Sequence, residues 1–357
     1  MRCVTLPSVT VQNRRAFTLV ELLVVISIVV ILMALTVGVI SKVYVYLDEV
    51  KVTNEVNRMA QACEQFKATF GRYPPSRIIL CDNPVILNNI INGLVPPPAG
   101  SGLSLPQFQQ LAAFSSEYLS SIFPGINLTL PRDWNGNSTV DNLMLDGAEC
   151  LVYFLAGPRF GGAPIGFNTD KTNPTANSTS TRLGPFFDFD ASRIDTTIKP
   201  GYPTYRDVYG TPYLYFAARN GATNNYHNAY FPLINTTGND NRVILTALLS
   251  PGTTYSFVPY FVSPVPAVAP TSWPAAQSFK FHKADTFQII SAGKDRQFGT
   301  GGQWNQADPE QSLFLPAALI NAAPYNSLPE YQPVTPELLQ ANYDNITNVT
   351  GGRVVPK

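Results

Sequence analysis

Near its amino terminus the chain reads Arg14-Arg15-Ala16-Phe17-Thr18-Leu19-Val20-Glu21, and an apolar run continues from there to about Ser41. The 25 residues from Phe17 to Ser41 include a single charged side chain, that of Glu21. About 20 apolar residues are enough for a helix to cross a bilayer. A carboxylate inside such a segment is costly and usually has a partner. The stretch therefore predicts a membrane-spanning helix in which Glu21 has a specific role.

The leader before this run is basic. Arg2, Arg14 and Arg15 lie there without any acidic residue. Positive charge tends to stay on the cytoplasmic side, so the body after Ser41 is expected outside the cytoplasm. A conventional secretory signal is the alternative, but it needs a shorter apolar core and a small-x-small cleavage site near Ala34.

The segment from Arg14 to Glu21 resembles the cleavage signal of type IV pilins and type II secretion pseudopilins. The resemblance implies that residues 1–16 form a leader that prepilin peptidase removes between Ala16 and Phe17, and that Phe17 is then N-methylated. Ala16 stands where that family mostly has Gly. The resemblance also implies that Glu21 pairs with the amine of a neighbouring subunit's Phe17 during filament assembly. A solitary Glu21 reaching for the membrane interface is the alternative interpretation.

The helical pattern continues past the apolar run and becomes amphipathic. Apolar residues recur every three or four positions at Val52, Val56, Met59, Cys63, Phe66 and Phe70. The opposite side carries polar residues, among them Glu55, Glu64 and Lys67. No proline interrupts the chain between Phe17 and Phe70. We therefore expect one helix of about 50 residues, roughly 80 Å long.

This helix is predicted to have two parts. Residues 17–42 would form the transmembrane or filament-core segment, and residues 43–71 would pack on a sheet. A short coiled coil would give the same apolar spacing. Gly71 and the pair Pro74-Pro75 predict where the helix ends.

Two further segments resemble major pseudopilins. The string Phe70-Gly71-Arg72-Tyr73-Pro74-Pro75-Ser76 is similar to their helix-ending Gly-x-Tyr-Pro, and Asp207–Phe216 is similar to their Asp-x-Trp-Gly-x-Pro-Tyr-x-Tyr, with Tyr209 in place of Trp. The resemblance implies a pilin-like α+β fold, in which the long helix packs on a carboxyl-terminal antiparallel β-sheet. The segment between the two similarities is a large loop-rich insertion.

The sequence predicts secondary structure in the insertion and in the residues after it. The insertion, residues 72–204, is expected to mix helix and loop, with helical segments at Phe108–Ile122 and Leu145–Leu155. Residues 205–357 are expected to be β-rich. Their strands are predicted at Tyr213–Phe216, Val243–Leu248, Tyr255–Val262 and Phe287–Ser291.

The segment Ile289–Thr300 resembles the calcium loop of major pseudopilins, Ser-x-Gly-x-Asp-Gly-x-x-Gly. The resemblance implies a calcium site with Ser291, Asp295 and Asp344 as ligands, and Asp308 is another candidate for the second carboxylate. Calcium takes six to eight oxygen ligands. Lys294 and Arg296 place two cations beside Asp295, so a metal-free turn is the alternative.

Other reactive side chains give little indication of chemistry. Of the cysteines after the leader, Cys63 lies on the apolar helix face, and a Cys81–Cys150 bridge is one open possibility. His227 and His282 are far apart and are expected to be structural. Asp188 and Asp190 alternate with phenylalanines, as in a strand with one exposed acidic face. The sequence has no nucleophile elbow, phosphate loop or zinc-binding His-Glu-x-x-His, so we expect no enzyme.

Together these features predict a structural subunit of a type II secretion pseudopilus or type IV pilus-like filament. Its expected partners are other copies of the chain, prepilin peptidase and the assembly machinery of the inner membrane. Its body would lie in the periplasm or outside the cell. The mature chain carries 21 basic and 24 acidic side chains, which gives no reason to expect nucleic-acid binding. A monomeric membrane-anchored binding protein is the main alternative, and an exported hydrolase has no supporting motif.

Overall fold

The structure is a computed structural model. It describes residues 18–98, 101, 103–160, 162–177, 181–197, 202–218, 258–261, 281–299, 301–304 and 343–354, of which 35–45, 258, 261, 302 and 303 are described without their side chains. The predicted leader, the predicted strand Val243–Leu248, His227 and Asp308 lie outside the described residues. The chain divides into two compact units, one ending at Asp48 and one beginning at Glu49.

Helix α1 runs without interruption from Leu19 to Phe70, 52 residues in all, as predicted. In the first unit its large apolar side chains from Leu19 to Met33 are exposed, between 42% at Val29 and 79% at Leu19. Burying such apolar surface against a neighbouring molecule lowers the free energy, because the surface is removed from water.

Among the residues that the structure describes, no helix meets both the length and the apolar character required to cross a membrane. The transmembrane assignment of residues 17–42 stays a prediction.

In the second unit α1 buries the predicted apolar face. Val52, Met59, Cys63 and Phe66 are fully buried, and Val56 and Phe70 nearly so. The helix ends where expected, because Gly71 adopts a φ of +83° and its N–H donates to the carbonyl of Lys67. One assignment was wrong: Glu55 does not face solvent but is 9% exposed. Arg193 from the insertion, together with Tyr205 and Tyr213, covers that position, which periodicity alone does not reveal.

The insertion contains strands as well as helices and loops. Strand β1 (Ile78–Cys81) pairs antiparallel with β2 (Asn142–Leu145), with Ile78 opposite Leu145. Helices α2 (Pro84–Ile91) and α3 (Leu105–Ile122) lie between these strands in the chain. Helix α3 confirms the predicted helix and starts three residues earlier, because Ser104 and Gln107 form a capping box.

All ten residues of helix α4 (Gly147–Ala156) are buried. Its amino terminus is a capping box formed by Asp146 and Glu149, whose Oε2 accepts from the N–H of Asp146 at 2.9 Å. The predicted buried helix at Leu145–Leu155 is therefore confirmed, but it starts two residues later because Leu145 ends β2.

Short hairpins complete the insertion. Strands β3 (Arg159–Phe160), β4 (Ala163–Pro164), β5 (Phe167–Asn168), β6 (Arg182–Leu183), β7 (Ile194–Asp195) and β8 (Thr204–Tyr205) pair antiparallel in sequence order, two by two. Residues 187–190 do alternate as expected, with the phenylalanines buried and Asp188 and Asp190 exposed. They are not a strand, however, because no neighbouring backbone pairs with them in the described structure.

The carboxyl-terminal region contains a four-stranded antiparallel sheet. Its strands are β9 (Leu214–Ala217), β11 (Phe287–Ser291), β13 (Ile346–Thr347) and β14 (Gly352–Arg353), and they lie in the order β14–β13–β11–β9. The sheet confirms two of the predicted strands. Strand β10 (Val258–Phe261) pairs instead with β12 (Gly301–Gln303), and this pair is parallel, which was not expected.

One hydrophobic core joins these parts. It takes buried side chains from α1, α3, α4 and the four-stranded sheet. Near the end of α1, the Tyr215 hydroxyl donates to the carbonyl of Pro74 at 2.8 Å, and the rings of Tyr73 and Phe287 meet edge to face. The insertion therefore shares its core with the helix and the sheet. Cys63, Cys81 and Cys150 are buried in the described structure without a disulfide between them, so a Cys81–Cys150 bridge is not formed.

Candidate functional site

The carboxylate of Glu21 is held by the start of helix α1. Its Oε2 accepts from the N–H and the hydroxyl of Thr18 at 2.8 and 2.9 Å, and the N–H of Glu21 donates back to the Thr18 hydroxyl at 3.2 Å. This reciprocal arrangement caps the amino terminus of the helix. It fixes the carboxylate beside the predicted cleavage position, although Ala16 and Phe17 themselves lie outside the described residues.

The predicted calcium loop brings Asp295 and Asp344 together. The backbone N–H of Asp295 donates to Asp344 Oδ2 at 3.0 Å, across 49 residues of sequence. Gly293 permits this approach, because it has a φ of +70° and a Cβ there would lie 2.2 Å from the Asp344 carbonyl oxygen. Arg296 adopts a φ of +64°, a left-handed conformation at the position where the resembled loop has Gly.

The electrostatics of this pair suit a cation. Burial raises the pKa of Asp295 to about 7, the Asp344 carboxylate adds to the rise, and the charge of Arg353 opposes it. Asp344 Oδ1 is buried and accepts no hydrogen bond from the part of the chain that the structure describes. Two adjacent carboxylates with such an oxygen fit a hard divalent ion.

The third predicted ligand has another contact. The Ser291 hydroxyl donates to Asp207 Oδ2 at 2.6 Å and accepts from the N–H of Gly293 at 3.1 Å. Ser291 thus ties the loop to the turn before β9. Within the described residues, no group of three or more His, Cys, Asp or Glu side chains has the arrangement of a metal site. The calcium assignment stays a prediction.

A second polar cluster, missed in the sequence, surrounds Glu55. Arg193 donates to Oε2 through Nη1 at 2.8 Å and to Oε1 through Nη2. The Tyr205 hydroxyl donates to Oε1 at 2.9 Å, and the Tyr213 hydroxyl donates to Oε2 at 2.6 Å. The Glu55 cluster, formed by these four residues, joins α1 to the insertion and to the segment before β9.

The charges in the Glu55 cluster reinforce one another. Burial acts to lower the pKa of Arg193, but its hydrogen bond and charge interaction with Glu55 outweigh this and raise it. Burial, followed by the negative charge of Glu55, raises the pKa of Tyr213 well above its usual value. Arg193 and the two tyrosines therefore keep their protons near neutral pH, which indicates a structural clamp rather than an acid–base pair. Each contact spans more than 130 residues, and so wide a separation leaves no periodic pattern from which the pairing could be predicted.

The described histidine is structural, as expected. His282 contacts the carbonyl of Trp304 through Nε2 at 3.0 Å, and its ring packs against the Trp304 indole. Burial lowers the pKa of His282, so the neutral form is favoured.

Comparison with known proteins bears on the amino terminus alone. Residues 11–37 match the family model of the prokaryotic N-terminal methylation motif. No curated protein and no solved structure matches the chain.

The matched motif supports a type IV pilin-like prepilin, a class of structural rather than enzymatic proteins. It implies processing by a prepilin peptidase, membrane anchoring and filament assembly in general. The motif ends well before the insertion and the sheet, so it identifies the class of signal and not the role of the body.

Proposed function

We propose that the chain is a structural subunit of a type II secretion pseudopilus or type IV pilus-like filament. Prepilin peptidase removes residues 1–16, and the helix then anchors the chain in the inner membrane. An assembly machinery transfers the helix from the membrane into a filament. Exposed apolar side chains from Leu19 onward pack against neighbouring copies. The globular body, enlarged by the insertion, faces outward.

The observation that carries this proposal is the uncovered apolar surface of α1 together with a single capped carboxylate. Thr18 occupies Oε2 of Glu21, and Oε1 accepts no hydrogen bond from a described residue. An amine supplied by a neighbour's Phe17 would complete the coordination of the carboxylate and remove two charges from an apolar environment. A monomeric membrane-anchored binding protein would need no such partner.

Replacing Glu21 by Val tests the proposal in cells that contain a prepilin peptidase and an assembly machinery. We expect the variant to remain in the membrane fraction but to be lost from sheared filaments. Glu117→Val is the matched control, because Glu117 is an exposed glutamate on α3 and its loss should leave assembly unchanged. Normal assembly of Glu21→Val would contradict the proposal. So would a mature amino terminus other than Phe17 in mass spectrometry.

A second proposed property is calcium binding at Asp295 and Asp344. It is supported by the proximity of the two carboxylates and by the buried Asp344 Oδ1. Bound calcium would hold the loop after β11 against the residues before β13. Ser291 would act through its contact with Asp207, which anchors the start of the loop.

A further inference from the structure

An open groove of about 520 Å³ crosses the surface of the insertion. Its walls are the loop after α3, the end of β3 and the loop before Asn177. Residues that define its chemistry are Asn127, Leu130, Arg132, Asp133, Phe160 and Asn173. The volume lies within the range of about 300–1,000 Å³ that is usual for ligand sites.

The groove is polar but nearly neutral. Among the described residues that line it, Arg132 and Asp133 carry the charges, and they have opposite signs. Two of the five N–H donors of Arg132 are used by the protein, since Nη1 donates to Asn173 Oδ1 at 2.6 Å and Nη2 donates to the carbonyl of Thr172 at 3.2 Å, and Nε is buried away from the groove. The guanidinium also lies 5.5 Å from the Trp134 ring centre. Asp133 offsets the charge of Arg132, so this lining has no net positive charge to attract a phosphate or carboxylate ligand.

The side-chain amides are held in one orientation. Asn173 is fixed by the bond that its Oδ1 accepts from Arg132, so its Nδ2 keeps two N–H donors. In Asn127, Oδ1 accepts from the N–H and the hydroxyl of Thr129 at 2.9 and 2.6 Å, which fixes its Nδ2 in the same way.

An acceptor and an aromatic ring complete the set. The Asp133 oxygens accept from the backbone N–H groups of Gly136 and Ser138, and each retains a lone pair for a ligand hydroxyl. Phe160 contributes an apolar ring that is half-buried. The fixed amide donors and the carboxylate acceptor suit a ligand with several hydroxyl groups. The aromatic ring beside them suits a ligand that also has an apolar C–H face.

From this geometry we infer that the groove binds a neutral carbohydrate. Sugar hydroxyls donate to Asp133 and accept from Asn127 and Asn173, while the C–H face of a ring packs on Phe160. The site does not depend on polymerisation, because all of its walls belong to the insertion of one chain.

The test uses the full chain in detergent and an array of glycans. The array holds neutral oligomers of glucose, mannose, galactose and N-acetylglucosamine beside sulfated and uronic-acid glycans. We expect binding to one or more neutral oligomers, with an affinity that changes little between low and high salt. No neutral binder, or preferential salt-sensitive binding of the acidic glycans, would overturn the inference.

Two variants locate the site. Asn173→Asp keeps an oxygen for Arg132 but removes both amide donors, and Phe160→Ala removes the ring. Each should weaken binding of the selected oligomer by about tenfold, the effect of one lost ligand contact. Asn88→Asp on α2 is the matched control, since it makes the same change outside the groove and should leave the affinity unchanged. Wild-type affinity in Asn173→Asp overturns the inference even if Phe160→Ala fails to fold.

Discussion

Arg193 of the insertion donates to the carboxylate of Glu55 in helix α1 through both terminal nitrogens of its guanidinium, although 138 residues separate the two in the sequence. Tyr205 and Tyr213 add hydroxyl donors to the same carboxylate. The insertion is therefore fastened to the helix by a nearly buried ion pair and not only by apolar contact. A fully satisfied polar cluster of this kind specifies one arrangement of the elements that it joins.

Glu55→Gln should destabilise the protein by about 3 kcal/mol. Glutamine has one acceptor oxygen instead of two, so its Nε2 would face a donor from Arg193 or Tyr213. The charge of Arg193 would also lose its partner. Urea unfolding of the full chain in detergent, followed by circular dichroism, measures the change.

The matched control is Glu117→Gln, because Glu117 also pairs with an arginine but its side chain is 62% exposed and the N–O distance to Arg72 is 3.6 Å. Exposed pairs of this kind contribute at most about 1 kcal/mol. Equal losses for the two variants would show that the Glu55 cluster is not a clamp.

Phe154→Ala tests whether the insertion and the sheet unfold together. Phe154 is fully buried in α4, and its ring meets those of Phe66 and Tyr118 edge to face, each at 5.7 Å. The cavity should cost roughly 3–5 kcal/mol. Because α1, α4 and the sheet share one core, we expect far-ultraviolet and tyrosine signals to shift to lower denaturant in a single transition. Two separate transitions, with only one displaced, would show that the insertion folds independently.

The sequence was informative wherever a periodic pattern was long. The apolar spacing from Val52 to Phe70 predicted α1, and the glycine and prolines after Phe70 predicted its end. The runs that became α3 and β11 were found because each keeps one consistent pattern over five or more residues. Asp295 and Asp344, which the resemblance names as calcium ligands, lie in contact, and calcium binding itself stays a prediction.

The remaining features depend on partners distant in the chain. The two-residue strands of the insertion are too short to show any period. Glu55 sits on the polar side of an amphipathic pattern, and it is buried only because Arg193 and Tyr205 cover it. The parallel pairing of β10 with β12 has no local signature, since the two strands are about 40 residues apart in the chain and pair only with each other in the described structure.

Stability should fall in mild acid because of His282. Burial holds the pKa of His282 below its value of about 6.5 in the unfolded chain, so the unfolded state binds the proton more readily. The stabilising contribution is complete above that unfolded pKa and is lost as the pH falls below it. His282→Gln keeps a donor for the Trp304 carbonyl but does not titrate. The difference in unfolding free energy between wild type and variant should therefore change between about pH 7 and pH 5. A constant difference would contradict the assignment.

Calcium should raise the melting temperature of the full chain, and a chelator should reverse the effect. At a concentration 100 times the dissociation constant, a ligand specific for the folded state adds about 2.7 kcal/mol, enough to shift the melting temperature by several degrees. Magnesium should act more weakly, because it demands a compact octahedral shell. Asp344→Asn and Asp295→Asn should each abolish the shift, since both carboxylates are proposed ligands of the same ion. Asp285→Asn, an exposed aspartate outside the loop, should retain it. A wild-type melting temperature that is indifferent to chelator, or a calcium shift that survives in Asp344→Asn, would exclude the site and leave the loop held by its hydrogen bonds, such as that of Ser291 to Asp207.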